Sequence, residues 1–467
     1  MTLTQRLVSV VPSKRQLDFQ ELEFYAFVHF TVNTFTGNEW GDGHEDEAIF
    51  NPVLFDAEQW LNAIKSAGMK GLILTCKHHD GFCLWPSKVT THTVEYSPFK
   101  RDIVGEVAAA CKKHGVKFGV YLSPWDRNAS VYGQGKAYDD FFVSQLTELL
   151  TGYGDVFSVW FDGACGEGPN GKKQYYDWDR YYSVIRELQP GACINVCGPD
   201  IRWCGNEAGY TREAEWSVVP ARTRDTEKIM ENSQQEDNEE FRQRKIHAWD
   251  GDLGSREILK DELDLVWYPA EVNTSIRPGW FYHDYEDEKV RTLDDLMHVY
   301  YNSVGGNATF LLNIPPMPTG LFHKNDVKRL AEIGEYIKKA FANNIAPDAV
   351  ISADSFKEGN EPDKLLTDTY DSCYFAEDET ANLTFTWDEA KEIGHVVIKE
   401  NILYSQRVER YVIEALIDGE YKEIARGTVI GHKKIIKTDG LVTDSVRIKF
   451  VETRAQPAIS FVGIYSK

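Results

Sequence analysis

No stretch of this chain stays apolar for the roughly 18 residues that a membrane-spanning helix needs, so no helical span is expected. Positive charge is scarce as well: 51 Lys and Arg against 73 Asp and Glu leave a formal net charge of −22. Nucleic acid and anionic membrane surfaces both call for a basic face, and neither is expected as a partner. No Gly-x-Ser-x-Gly elbow occurs, which removes the usual setting of a nucleophilic serine. The 8 cysteines show no regular disulfide spacing, and several sit in apolar runs. Buried free thiols are expected, and a reducing compartment is mildly favoured. Cys193 and Cys197 would share a strand face, but the two further soft ligands of a zinc site are missing beside them. The first residues carry no apolar signal segment, a pattern that a processed periplasmic or extracellular form would share. Compartment and oligomeric state therefore stay open.

What is present is length and aromatic surface. The 467 residues exceed one ordinary domain, and a barrel of the α/β class followed by a smaller domain fits that length. Hydrophobic residues make up 42% and aromatics 13%, enough for sizeable cores; 12 Trp and 23 Tyr also supply flat faces suited to sugar C–H groups.

Along the chain, apolar strand-like runs alternate with helical stripes. Phe24–Phe30 reads as a first buried strand and Gly71–Cys76 as a second, with a helix between them capped by Asp56 and stopped by Gly68. A helix carrying Ile103, Val107 and Cys111, closed by Gly115, leads to the strand Val116–Leu122. Val156, Phe157, Val159 and Trp160 then run up to Asp162 before Gly163-Ala164-Cys165-Gly166 breaks the run. Further strands are read at Ile194–Val196, Leu265–Glu271 and Ala308–Asn313. Strict alternation implies a parallel sheet, and this many units favour closure into a (β/α)8-like, TIM-type barrel over 1–344. Residues 222–264 are highly charged and read as an insertion on its rim. From about 345 the pattern changes to alternating strands such as Leu383–Trp387 and Val446–Phe450, with a hairpin turn at Asp418-Gly419; 345–467 reads as an antiparallel β-sandwich.

In a barrel the C-terminal strand ends converge on one face. Those ends supply His29, His78, His79, Tyr121, Trp125, Trp160, Asp162, Glu207 and Glu271. Cations are few among them, which argues against phosphate substrates. His78-His79-Asp80 invites a metal reading, but neighbours on an extended segment point oppositely, and no His-x-His or His-x-x-x-His spacing supports it. Metal binding is the least favoured reading of that cluster, beside sugar-hydroxyl binding and a plain structural role; a metal-assisted hydrolase using His78 and His79 is the corresponding alternative. Paired carboxylates are left as the chemistry, one as nucleophile and one as proton donor on a glycosidic bond. Asp162 suits the nucleophile, with Gly163 letting its loop turn tightly. For the acid, Glu207 and Glu271 both stand as candidates.

The motifs Phe27-Val28-His29-Phe30, His78-His79-Asp80-Gly81-Phe82, Tyr121-Leu122-Ser123, Trp160-Phe161-Asp162-Gly163 and Ser275-Ile276-Arg277-Pro278-Gly279-Trp280 together resemble the α-L-fucosidases of glycoside hydrolase family 29. The resemblance covers essentially the whole chain. It implies a barrel related to the (β/α)8 type followed by a sandwich of the galactose-binding-like kind, and hydrolysis of fucosides with retention. No metal and no organic cofactor are implied. Asp162 then resembles the nucleophile, and His29, His78, His79, Tyr121 and Trp160 the fucose-pocket residues. Glu39 and Trp40 resemble the pair that closes over the sugar, with Trp280 as an aromatic wall for the C5 methyl. Gly205-Asn206-Glu207 is similar to the acid/base motif of the subfamily selective for α-1,3/1,4-linked fucose, which assigns Glu207 and places the loop of Arg202 and Trp203 beside a neighbouring galactose. The expected partner is a fucosylated oligosaccharide. The alternatives are a broad-specificity fucosidase using Glu271, and a non-catalytic fucose-binding protein on the same scaffold.

Overall fold

The computed structural model describes residues 2–242 and 251–467; part of the charged insertion, 243–250, lies outside the described residues. Each early strand forms where an apolar run is long enough to be covered on both faces. They are β1 (Phe24–Val28), β2 (Gly71–Lys77), β3 (Lys117–Leu122), β4 (Ser158–Phe161) and β5 (Cys193–Val196). After β5 the chain makes β6 (Arg202–Trp203), then β7 (Val218–Pro220), β8 (Leu265–Trp267), β9 (Ala270–Ser275) and β10 (Ala308–Asn313).

Eight of these form one parallel sheet in the order β5-β4-β3-β2-β1-β10-β9-β6. A single parallel bridge, Asn195 to Ile201, joins the two edge strands and nearly closes the barrel. Helices Ala57–Ser66, Ile103–His114, Lys136–Gly152 and Trp178–Leu188 separate the first five strands, while Leu293–Ser303 and Lys324–Ala340 flank β10. Their ends follow the expected chemistry: Asp56 and Asp102 accept from first-turn backbone N–H groups, and Gly115 ends its helix in the left-handed region.

No helix separates β5 from β6. The chain instead folds back within five residues, 197–201, and Val196 takes a positive φ of 65° to begin the turn. A Cβ at Gly198 would lie 2.6 Å from the carbonyl oxygen of Ile194, so only glycine fits there. Val196 is β-branched and strained in this conformation.

Two expectations are corrected. Leu265–Trp267 is a strand but not a barrel strand: it pairs antiparallel with Val218–Pro220 in a separate two-stranded sheet. The barrel strand is β9, so Glu271 is its second residue and not its tip. Arg202 and Trp203, expected in a loop, form the short barrel strand β6 alongside Ala270 and Glu271.

The C-terminal part carries its own core, from Ile345 to Ile464. Its strands are β11 (Val350–Ala353), β12 (Tyr374–Phe375), β13 (Ala381–Glu400), β14 (Val408–Ile417), β15 (Glu420–Gly427), β16 (Lys434–Thr453) and β17 (Ala458–Ser466). All pairings are antiparallel, and register shifts in the long β13–β16 ladder let it bend into a sandwich-like unit. Asp418 and Gly419, both at positive φ, turn β14 into β15 as a two-residue hairpin demands. This unit seats under the barrel through buried polar contacts: Lys433 Nζ lies 2.9 Å from Glu23 Oε2, and His432 N donates to Asn307 Oδ1 at 2.7 Å. All 8 cysteines are free thiols, and 7 of them are buried.

Candidate active site

The strand tips deliver side chains to one pocket of about 570 Å³, its open mouth included. His29 stands just beyond β1, His78 and His79 beyond β2, and Asp162 one residue past β4. Trp160, Trp203, Glu207, Glu39, Trp40 and Trp280 complete the expected set in its lining.

Tyr121 is the exception. It is fully buried and does not reach the pocket. It stacks behind Trp160 (centroids 5.3 Å apart) and His78 (5.6 Å), and its hydroxyl donates to Asp162 Oδ2 at 2.9 Å. Its contact is with the carboxylate, not with the sugar space.

The two adjacent histidines do not point apart. Their ring centroids are 4.1 Å from one another, because the chain leaves β2 at Lys77 and residues 78–81 turn, so the alternation of an extended strand no longer applies. One ligand atom from each of His78, His79 and Asp162 falls within 4.8 Å of the others, a donor set that a divalent ion could use. His79 Nδ1 is already engaged with Ser123 Oγ at 2.7 Å. Burial lowers the pKa of all three pocket histidines: His29 to about 4, His79 to about 3, and His78 well below its ordinary value, the other rings adding to the effect on His78 and His79. Near pH 7 they are neutral imidazoles, hydrogen-bond partners for hydroxyls and not charges.

The two carboxylates are treated differently. Asp162 has both oxygens held, Oδ1 by Ala164 N at 2.9 Å and Oδ2 by Tyr121. Burial raises its pKa, and these donors oppose that rise. Glu207 receives one bond, from Trp280 Nε1 at 2.9 Å, and burial pushes it up to about 7, the negative Asp162 adding to the rise. The Gly205-Asn206-Glu207 loop follows β6 directly. Asn206, buried, staples it by accepting from Ala208 N and Tyr210 N and donating to Tyr210 O.

Glu39 ties two loops together: it accepts from Trp280 N (2.8 Å) and Phe281 N (3.3 Å) and contacts His283 Nε2 (2.7 Å). Trp203 lines the pocket, but Arg202 does not; its guanidinium is buried against Glu215 at 2.6 Å, and Arg202 instead lines the cavity on the far side of Trp203. Gly163 is not in the left-handed region. What it allows is close approach: a Cβ there would lie 1.9 Å from Ser233 Oγ.

Glu271 is absent from the lining. It is 0% exposed in the barrel interior, where its oxygens accept from Tyr25 Oη, Trp160 Nε1 and Asn195 Nδ2. Its carboxyl does not face the pocket in this structure.

A family model for alpha-L-fucosidases matches residues 13–341. The chain belongs to the alpha-L-fucosidase family. Alpha-L-fucosidase 1 of Arabidopsis thaliana is 37% identical over 469 residues, covering 97% of this chain and 87% of its own. A solved glycoside hydrolase 29 family member from an unknown rumen bacterium is 36% identical with a TM-score of 0.80, over 98% of this chain and 77% of that one. A family 29 fucosidase of Ruminococcus gnavus, solved with fucose, is 29% identical with a TM-score of 0.84, over 98% and 95%. This chain is thus a glycoside hydrolase of family 29.

The fucosidase-family pocket also holds residues that the sequence reading missed. Asn273 lies two residues beyond Glu271 on β9 and holds Trp203 Nε1 at 2.9 Å; period-two alternation would have found it had the strand been placed at 270–275. Ser233 and Gln234 come from the charged insertion, where no periodicity marks them. Two larger openings flank the pocket. A groove of about 1590 Å³ starts at Glu207 and Trp280 and runs past Tyr210, Tyr285 and Arg291. A cavity of about 970 Å³ lies on the other side of Trp203.

Proposed function

We propose that the chain is a retaining, exo-acting α-L-fucosidase that releases terminal α-1,3- or α-1,4-linked fucose from branched oligosaccharides. Asp162 attacks the anomeric carbon while Glu207 gives its proton to the leaving glycosidic oxygen, leaving a fucosyl ester on Asp162. Glu207, now a carboxylate, takes a proton from water as that water attacks the same anomeric carbon and breaks its bond to Asp162, which releases fucose and restores both side chains.

One observation carries the reading: two carboxyl groups face one pocket, Asp162 with donors on both oxygens and Glu207 pushed up to about 7 with a single donor. The first environment favours a carboxylate nucleophile and the second a protonated acid at neutral pH. Neutral His29, His78 and His79 suit the sugar hydroxyls, and the apolar faces of Phe27 and Trp280 suit the C5 methyl. The pocket ends over the buried barrel interior at Trp160 and shares Glu207 and Trp280 with the groove beside it, which favours terminal fucose. The two openings on either side of Trp203 and Glu207 support an aglycone with two arms.

The test compares fucose release from a branched Lewis-type trisaccharide, a linear α-1,2-fucoside and a simple aryl fucoside, with proton NMR of the first-formed anomer. Preference for the trisaccharide and initial release of α-fucose are expected. Equal rates on all three would remove the linkage assignment, and initial β-fucose would remove the double displacement. The 4.8 Å cluster of His78, His79 and Asp162 favours a metal-assisted hydrolase as second reading; turnover lost to a chelator and restored by zinc would select it.

A further inference from the structure

The interior of a barrel of this type is ordinarily packed with branched aliphatic side chains. Here a polar layer interrupts that packing beneath the pocket. Glu271 Oε1 accepts from Trp160 Nε1 at 2.7 Å, and Oε2 accepts from Asn195 Nδ2 at 2.8 Å and Tyr25 Oη at 2.5 Å. Each donor is itself placed: Ser158 Oγ donates to Asn195 Oδ1 at 3.0 Å, which aims the amide N–H at Glu271, and Tyr25 Oη also meets Thr309 Oγ1 at 2.8 Å. A buried carboxyl is costly, and an aliphatic residue would fill the same space more favourably unless the carboxyl does something an aliphatic side chain cannot.

What it does is hold an indole. Trp160 forms a wall of the pocket, yet its N–H points down into the barrel, and Glu271 is its acceptor. Trp160 lies beside Tyr121 on the neighbouring strand, the two rings stacked with centroids 5.3 Å apart and planes at 24°. Tyr121 in turn donates to Asp162 Oδ2.

We propose that Glu271 is a positioning residue: it fixes the Trp160 ring from inside the barrel and, through the Trp160–Tyr121 stack, the orientation of the Asp162 carboxylate. The inference rests on the reading of Asp162 as nucleophile. A side chain with no hydrogen-bond acceptor at 271 leaves the indole N–H unpaired in a dry interior, so the ring turns to find a partner and the stack shifts with it. Displacement of a nucleophile by about 1 Å lowers turnover about a hundredfold.

The experiment uses the full chain with Glu271→Leu, Glu271→Gln, Trp160→Phe and the double variant Trp160→Phe/Glu271→Leu. Glu400→Gln serves as control, since Glu400 is an equally buried carboxyl in the sandwich core, bonded to Arg407 N, Val408 N and Gly431 N and far from the pocket. Each is assayed on aryl fucosides with good and poor leaving groups, with and without azide, beside its melting temperature. Glu271→Leu is expected to lose kcat/KM about a hundredfold on both leaving groups alike, without azide rescue. Glu271→Gln keeps an oxygen for the indole but sets its amide NH2 against Asn195 Nδ2, and should recover part of that loss. In the Trp160→Phe background, Glu271→Leu should add little to the loss from Trp160→Phe. Glu400→Gln should melt earlier with unchanged kcat/KM.

Wild-type kcat/KM in Glu271→Leu overturns the proposal. So does a loss confined to poor leaving groups and rescued by azide, which would make Glu271 the acid/base. If Glu271→Leu does not fold, Trp160→Phe decides: it removes the same indole N–H, and wild-type kcat/KM in that variant overturns the link through Trp160. A wild-type chain with no fucosidase activity would sink the underlying reading, whereas an active wild type with insensitive Glu271 variants sinks this inference alone.

Discussion

Trp280→Phe isolates the bond that tunes the proposed acid. Trp280 Nε1 donates to Glu207 Oε2 at 2.9 Å, and this bond stabilises the carboxylate, opposing the burial that pushes Glu207 up to about 7. Phenylalanine keeps an aromatic wall and removes the donor. The loop should hold its place, because Trp280 backbone N still donates to Glu39 Oε2 at 2.8 Å. A hydrogen bond to a charged group contributes about 1.5–3 kcal/mol, and one pK unit corresponds to about 1.36 kcal/mol, so loss of the whole bond would raise the pKa by roughly one to two units. Glu207 is partly open to solvent, and water will replace some of the bond, which reduces the expected rise to about half to one unit. The sign follows directly: the charged form loses a donor, the pKa rises, and the acid stays protonated to higher pH. The assay is kcat/KM for a poor-leaving-group fucoside from about pH 5 to about pH 9, where the free enzyme's acid sets the basic limb. The limb should move to higher pH by about half to one unit and should vanish in Glu207→Gln. A limb that stays in place or moves to lower pH would refute the account of how Glu207 is tuned.

Asp162→Asn should abolish turnover and leave the melting temperature close to wild type; ordinary activity in that variant would remove Asp162 from its proposed role. Gly163→Ala should cut kcat/KM and cost about 1–3 kcal/mol of stability, because the added methyl meets Ser233 Oγ and Cβ. Adding Ser233→Gly to that variant should recover much of both, and failure to do so would mean that the glycine serves something other than this contact. Glu400 is raised by burial to about 7 in the folded chain. Its contribution to stability is therefore full below the ordinary glutamate pKa and is lost as pH rises through about 7, by up to about 3 kcal/mol. The melting-temperature gap between wild type and Glu400→Gln should narrow from about pH 5 to about pH 8, and a widening gap would contradict it.

Much of the site was legible because barrels place strand tips on one face. His29, His78, His79, Trp160 and Asp162 all follow apolar runs whose length forces burial on both sides, and each lines the pocket. Tyr121 also stands near a strand end, but a side chain on the interior-facing row just below the rim packs under the pocket, and only the neighbouring rings show that. The histidine pair was misjudged for a related reason: alternation holds only while the backbone stays extended, and the chain turns at His78. Ser233 and Gln234 left no trace, since contact with the pocket arises from how an irregular insertion folds back.

By itself the sequence determined the parallel barrel, through its alternation of buried strands and helical stripes. It also determined the second, antiparallel unit, through the change to period-two patterning, and the lone carboxylate at the end of β4. Only the tertiary structure decided which glutamate shares the pocket with Asp162. Leu265–Trp267 has the pattern of a buried strand, but its partner is Val218–Pro220, far away in the chain, and that pairing is non-local. It moves the barrel strand on to Ala270–Ser275. Glu271 thereby sits near the strand's beginning, where side chains fall into the barrel core, and Glu207 reaches the rim from the loop after β6.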